Sequence, residues 1–277
     1  MEQIFFDQFD LLLNAPGSVV KLREMILQMA VQGKLVAQDP DDPPASGLLE
    51  EIKAEKGRLV REGKIKAQKP LPPVKKEEVP YEVPGGWEWV RLGEIGEINP
   101  RNIFDDEKNA GFVPMPLIFA EYGKQHQFEI RKWSEIKKGY THFADNDVAL
   151  AKITPCFENG KSCVFHGLPN GIGAGTTELH IFRNTFSAVF PPFLLAYIKN
   201  PKYITSGISM MTGSAGQKRV PTEYFSQNPF PLPPLPEQHR IVAKIDQLMA
   251  LCDALERQIE AACEKRDAIF DAVLARV

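Results

Sequence analysis

The sequence predicts an α/β (α+β) domain flanked by long coiled-coil helices. Three observations carry that expectation. Short apolar runs bounded by Gly, Pro, Asn or Asp fill the middle of the chain, and helix-period patterns lie on either side of them. From Ile241 onward the apolar residues recur every three or four positions, with no Gly or Pro in the way.

In chain order, GSVVKLREMILQMAVQGKL sets Val19, Leu22, Ile26 and Met29 at helical spacing, with Ser18 as N-cap and Gly33 as the stop, which predicts a helix over 19–32. AQDPDDPPAS breaks the chain. Ser46 then caps a more charged helix over 47–62, with Leu48, Leu49, Ile52 and Leu59 as its narrow apolar stripe. GKIKAQKPLPPVKKEEVPYEVPGG is rich in proline and lysine and is expected to stay extended. Residues 1–83 are thus a helical region and linker, 84–235 a mixed domain, and 236–277 a C-terminal helix.

Within the mixed domain, WEWVRLGEI alternates like a half-buried strand, DVALAKI, SCVFHG and TELHIF are β-like, and PPFLLAYIKNP reads as a short buried helix. No strand-to-helix transition surrounds GLPNGIGAGTTE, so its glycines read as a turn before a strand and not as a phosphate cradle. In NPFPLPPLPEQHR the proline run reads as a stiff polyproline II spacer that fixes the direction of the helix behind it. That helix carries a seam of Ile241, Ile245, Leu248, Cys252, Leu255, Ile259, Ala262, Ile269 and Val273, broken only by Arg266. A 3.5-residue period sustained this long describes a coiled-coil rod of roughly 60 Å that needs a partner helix, from the N-terminal region or from a second chain.

Composition narrows the function classes. The four cysteines are scattered and no basic, apolar leader opens the sequence, so a reducing cytoplasm is the expected setting. FSAVFPPFLLAYI is cut by Pro191 and Pro192 and falls short of the roughly 20 residues a bilayer needs, so no membrane association is expected. The net charge is −3, yet residues 131–220 hold 11 Lys+Arg against 5 Asp+Glu while both ends are acidic. One internal block is therefore basic, as in a chain of which one part faces a polyanion. Catalytic signatures are missing: there is no Gly-x-Ser-x-Gly, Walker loop or paired-carboxylate motif, and Cys156, Cys163 and His166 fit no zinc spacing. Neither a catalytic residue nor a metal ligand is assigned.

Two loops in the basic block do carry nucleic-acid character. LAKITPCFENGK offers Lys152, Thr154, Asn159 and Lys161 around a turn, and MTGSAGQKRVP offers Ser214, Gln217, Lys218 and Arg219 on a loop of small residues. Small residues let backbone amides approach phosphates, while Gln, Lys and Arg position a duplex and reach base edges. Lys218 and Arg219 are assigned mainly to phosphates, with Arg219 equally able to reach a guanine edge.

GGWEWVRLGEI, LAKITPCFENGK, GTTELHIF, MTGSAGQKRVP and PFPLPPLPEQHRIVAKIDQLMALCDALE, in that order, resemble the DNA specificity subunit of type I restriction-modification systems. LREMILQMAVQGKLVAQDPDDPPASGLLEEIKAEKGRLVREG resembles a helical region of the same family. The resemblance implies a target recognition domain that reads one half of a bipartite site in the major groove of duplex DNA. It also implies helices that set half-site spacing, and docking onto adenine methyltransferase subunits and, through them, an ATP-driven endonuclease. Thr176 and Thr177 of GTTELHIF join the DNA-binding set on this basis. No catalysis and no cofactor are implied for this chain itself, since S-adenosylmethionine, ATP and Mg belong to partner subunits. Family members usually carry two recognition domains and this chain has one, so it is either a half-subunit that homodimerises through its helices or part of a longer subunit. A stand-alone DNA-binding regulator dimerised by its coiled coil is the competing reading.

Overall fold

The computed structural model describes residues 17–63, 70–214 and 216–275. The first helix, α1, spans Ser18–Val31. Its cap is Gly17 at φ 77°, so Ser18 is the first helical residue and not the N-cap its chemistry suggests. Gly33 ends the helix with a left-handed φ of 68° and meets Pro84 so closely that a Cβ would lie 2.4 Å from the ring. Helix α2, Ala45–Arg61, likewise starts ahead of Ser46: Ala45 is buried and its N–H donates to the Gly86 carbonyl at 2.8 Å. A tertiary contact has taken the place of a side-chain cap.

Among the described residues the mixed region holds ten strands. WEWVRLGEI splits into strand β1, Glu88–Arg91, and a one-turn helix α3, Leu92–Ile95, because Leu92 and Ile95 both turn into the core. Strands β2 (Glu97–Ile98), β3 (Asn109–Val113) and β4 (Glu129–Lys132) follow, then helix α4 (Trp133–Ile136). Next come β5 (Thr141–Ala144), β6 (Val148–Ala151), β7 (Ser162–Val164), β8 (Ile172–Gly175) and β9 (Leu179–Arg183). Helices α5 (Pro191–Ile198), α6 (Pro201–Met210) and α7 (Thr222–Gln227) lead to β10 (Pro229–Leu232) and the 40-residue α8 (Leu235–Leu274).

Two four-stranded sheets form, in the orders β2-β9-β6-β7 and β4-β3-β8-β5. Strand alternation assigns their faces. Val148 and Leu150 of β6 enter a core shared with α1, α2, α5 and α8, whereas Ala149 and Ala151 enter a second core between the sheets with Val113, Phe143 and Phe165. Ala110 and Phe112 of β3 face a third cluster with Trp133 and Ile136 of α4. The glycines read as a turn before a strand are the strand itself. Gly173 and Gly175 of β8 lie against Phe143, where a Cβ would come within 2.3 Å of the ring at Gly173 and 2.1 Å of the Val113 carbonyl at Gly175. Their bareness lets Phe143 stack on Phe165 with ring centroids 3.7 Å apart.

The proline run is a correction as well. Pro229–Leu232 is no polyproline spacer but strand β10, paired antiparallel with β1 from Arg91↔Pro229 to Glu88↔Leu232. Prolines 229 and 231 fall on alternate residues, so their missing N–H groups lie on one edge of a two-stranded ribbon and leave the other edge to pair. Residues 64–69 of the expected linker lie outside the described residues; the part from residue 70 on is pinned, since the buried Arg91 donates to the carbonyls of Pro72, Pro73 and Gln227 and pairs with Glu78 at 2.8 Å.

At its base α8 is clamped. Glu237, 1% exposed, accepts from Trp87 Nε1 at 2.8 Å and from Gln38 at 2.7 Å. The Gln238 side chain accepts from the Phe190 N–H and donates to the carbonyls of Ala188 and Pro233. Along the seam, Ile241, Ile245 and Cys252 are buried and Leu248, Leu255 and Ile259 are half-buried, packed on the first core. Helix α1 is the partner, and its Arg23 bridges Asp253 and Glu256. Beyond residue 259 no described residue packs on the seam. Ala262 is exposed, Ile269 is 58% exposed, and Arg266 pairs with its neighbour Asp267; the side chain of Val273 lies outside the described set.

Candidate nucleic-acid interface

The two loops singled out in the sequence meet in space. Lys152 sits just after β6, and from there the chain runs beside the segment 218–220: Thr154 N–H donates to the Lys218 carbonyl at 2.9 Å, and Val220 N–H to the Lys152 carbonyl at 2.8 Å. Isolated bridges pair Arg219 with both Ile153 and Thr212. The third stretch joins through Lys152 N–H, which donates to the Glu178 carbonyl at 2.9 Å. Residues 152–161, 176–178 and 212–219 therefore form one backbone-paired ledge inside the basic block.

Each loop has its own reason for its shape. Residues 153–161 wind around the buried Phe157 with bonds from Phe157 N–H to the Ile153 carbonyl and Lys161 N–H to the Cys156 carbonyl. Phe157 is seated against Gly207 of α6, where a Cβ would stand 2.3 Å from the ring. Thr212 and Arg219 are joined by reciprocal backbone bonds, and between them Gly213 and Gly216 take positive φ values of 121° and 77°. The tip presents Ser214, Gln217 and Lys218 to solvent, while Asn159 and Thr177 are exposed on the neighbouring loops. Thr176 is half-buried, and its Oγ1 accepts from Glu178 N–H at 3.2 Å. Thr154 is also half-buried, its Oγ1 without a hydrogen-bond partner among the described residues.

The cations are not equivalent. Arg219 forms a two-point bridge to Glu178, with Nη2 2.8 Å from Oε1 and Nε 2.9 Å from Oε2, and its hydrogen bonds hold the Glu178 carboxyl below its ordinary range. Its charge is largely cancelled. Lys161 donates to the Met115 carbonyl at 3.2 Å. Lys218 is exposed and without an ion-pair partner among the described residues, and Lys152 is half-buried. The ledge thus offers three lysines, one of them tied to a carbonyl, one internally neutralised arginine, and a rim of amide and hydroxyl groups.

Three supporting residues carry no site signal in the sequence. Glu178 lies within the β-like run TELHIF. Lys199, 7% exposed, donates to the carbonyls of Gly160 and Ala120 at 2.9 and 2.7 Å, which ties the 153–161 loop to the loop before β4. Burial pushes its ammonium down to about 8. His180 of β9 bonds the Val220 carbonyl through Nε2 at 2.9 Å and stacks on Phe225, and burial lowers its pKa to about 4. Two buried titratable residues in strand and helix patterns look like core, and only their carbonyl partners reveal that they hold the ledge in place. Among the described residues no group of three His, Cys, Asp or Glu side chains is placed to hold a metal, and no helix is long and apolar enough to cross a membrane.

Comparison with known proteins adds findings of three kinds. A family model for the type I restriction modification DNA specificity domain matches residues 84–265. The chain is 54% identical over 257 residues to the Type I restriction enzyme EcoAI specificity subunit of Escherichia coli, covering 92% of this chain and 44% of that protein. It is also 54% identical over 258 residues to the EcoEI specificity subunit of the same organism, covering 93% and 43%. The chain therefore spans less than half the length of these curated relatives. Its fold is shared with a solved chain from a study of complex assembly and conformational transition of the type I R-M system, at a TM-score of 0.51 and 19% identity, over 83% of this chain and 56% of that one.

Proposed function

The chain belongs to the family of type I restriction modification DNA specificity domains, and from that premise we propose that it binds duplex DNA sequence-specifically through the ledge of residues 152–161, 176–178 and 212–219. It reads one half of a bipartite target, and its helices dock methyltransferase subunits and, through them, a restriction subunit. Its work is binding rather than catalysis, with S-adenosylmethionine, ATP and Mg held by the partner subunits.

The convergence of three sequence-distant loops on one ledge in the basic block supports this reading most. Backbone pairing fixes the loops relative to one another, which base-edge readout requires, because a hydrogen bond to the wrong edge costs roughly 1–3 kcal/mol only when donor and acceptor are held in place. The lysines supply the sequence-independent attraction to phosphate, and Asn159, Thr177, Ser214 and Gln217 supply groups able to discriminate bases. The solvent-facing end of the α8 seam is left for a second helix, from another copy of this chain or from a longer subunit.

The test is site-specific photo-crosslinking. A photoreactive residue placed in turn at Asn159, Thr177 and Gln217 should crosslink to duplex DNA from all three positions. Retained DNA binding with no crosslink from any of them would move the interface elsewhere on the molecule.

A further inference from the structure

Strand register carries the ledge across to the second sheet. Strand β8 ends at Gly175, which pairs with Thr141, the first residue of β5. One step past both strand ends, the same antiparallel register sets Tyr140 opposite Thr176, so the turn before β5 flanks residues 176–178. The 212–219 loop flanks the same residues from the other side. His180 of β9 projects with Phe182 from the face that meets the first core, and there it holds the Val220 carbonyl. Leu179 and Ile181 project the opposite way, into the core between the sheets, where Phe143 of β5 joins them. Packed sheets lie about 10 Å apart with a strand spacing of about 5 Å, so the two flanks stand on the order of 15–20 Å apart, enough to bracket a major groove about 12 Å wide.

The flank at β5 carries two uncommitted cations. Lys138 is exposed and has no ion-pair partner among the described residues. Arg101 arrives from β2 along a segment tied at both ends. Asn99 bonds Ile181 of β9 through its N–H and its Oδ1, and Asn102 donates to His142 Nδ1 at 3.1 Å and to the Phe143 carbonyl at 2.8 Å. Between these anchors Arg101 is exposed, and its Nη1 donates to the Tyr140 carbonyl at 3.0 Å. That bond fixes the guanidinium beside the turn without cancelling its charge, since among the described residues it meets no acid. The neighbouring cations of this sheet are spent, Arg131 on Glu129, Lys132 on Glu107 and Lys137 on Asp106. Resting on the reading that the ledge binds duplex DNA, we propose that Arg101 and Lys138 form a second phosphate-binding shoulder. It grips the strand opposite the one held by Lys218, so that the duplex is straddled and Thr177 lies under the groove between the two backbones. Contacts to both backbones would fix the register and tilt of the groove over the base-reading groups.

The test uses the full chain and a duplex that it selects from a random pool, with anisotropy titrations over a range of salt. Arg101→Ala and Lys138→Ala should each lower the slope of log K against log salt by about 0.9, and together by about 1.8, on the selected duplex and on an unrelated one alike. Arg101→Lys keeps the charge and should keep the slope. An equal loss in Arg101→Lys and Arg101→Ala would make Arg101 a prop for the Tyr140 carbonyl and remove it from the shoulder. The Lys138 side chain makes no hydrogen bond among the described residues, so its replacement leaves the fold in place. Phosphate ethylation interference then assigns the strands. Phosphates that cease to matter in Arg101→Ala and Lys138→Ala should lie on one strand, and those that cease to matter in Lys218→Ala on the other. All of them on a single strand, or parental slopes in both Arg101→Ala and Lys138→Ala, would overturn the shoulder. A slope lowered by loss of Lys218 but not of Arg101 and Lys138 refutes the shoulder and keeps the ledge. No effect of Lys218→Ala together with no crosslink from Asn159, Thr177 or Gln217 refutes the ledge, and the straddled duplex with it.

Discussion

Lys218 and Arg219 are adjacent cations on one loop, and the structure predicts that removing them has unlike effects. Lys218→Ala deletes a solvent-facing ammonium, so the slope of log K against log salt for duplex binding should fall by about 0.9, the release of one counterion. A fourfold rise in salt then narrows the affinity gap between parent and variant by about 3.5-fold, the same for cognate and unrelated duplexes. Arg219→Ala removes a guanidinium whose charge Glu178 already cancels at 2.8 and 2.9 Å. The slope should change by much less than 0.9, yet binding should weaken at every salt concentration because an uncompensated carboxylate is left facing DNA. Glu178→Gln placed on Arg219→Ala should restore most of that loss. Fluorescence anisotropy at several salt concentrations on two duplexes measures all of these quantities. Equal slope losses of about 0.9 for each single variant, adding to about 1.8 in the double, would refute the inequality and show that Arg219 abandons Glu178 to hold a phosphate. No change on losing Lys218 would remove this loop from the interface.

Two further outcomes are expected. Ile245→Asp buries a charge at a fully enclosed seam position and should destabilise the chain by at least about 3 kcal/mol in urea unfolding; Ile269→Asp, on the exposed end of α8, should leave that midpoint in place and weaken self-association in light scattering, and the reverse pattern would contradict the seam assignment. His180 is held neutral by burial, its pKa lowered from 6.5 to about 4, so the unfolded chain binds the extra proton between those values. Stability is then full above pH 6.5 and falls on acidification toward pH 4, by about 3 kcal/mol from this residue, with His126 and His142 shifted in the same direction. Urea unfolding at pH 7 and pH 4.5 should show the loss, and a His180→Gln chain with an undiminished pH dependence would assign it elsewhere.

The periodic elements were legible because their signal is local. Helices α1, α2, α5 and α8 and strands β6, β7 and β9 carry their apolar spacing within a few residues, and each stands close to its expected place. Strand β4, by contrast, is an edge strand of three charged residues and an exposed Ile130, and β8 is half glycine; neither has a hydrophobic pattern, because one is barely buried and the other is chosen for close approach. Strand β10 hid behind its prolines, which look like breakers until the pairing edge is known. In the candidate interface the same division holds. Lys, Gln, Asn and Ser on small-residue loops are visible as residue types, but the bridge that silences Arg219 joins residues 41 apart, and the carbonyls that hold Lys199 and His180 belong to backbone that only folding brings near.

The clamp at the root of α8 has a mechanical consequence. A rod of 40 residues is about 60 Å long, so a tilt of about 3° at its base moves its far end by about 3 Å, close to the roughly 3.4 Å separation of successive base pairs. Angular error at the root is therefore read out as linear error at the tip. On the proposed function, tolerance for half-site spacing resides less in the rod than in the stiffness of its socket, where Trp87, Gln38, Phe190, Ala188 and Pro233 grip two side chains of the first turn and α1 holds the seam as far as Ile259. Loosening Glu237 or Gln238 would act like play in a hinge, blurring the distance between two recognition surfaces while touching neither.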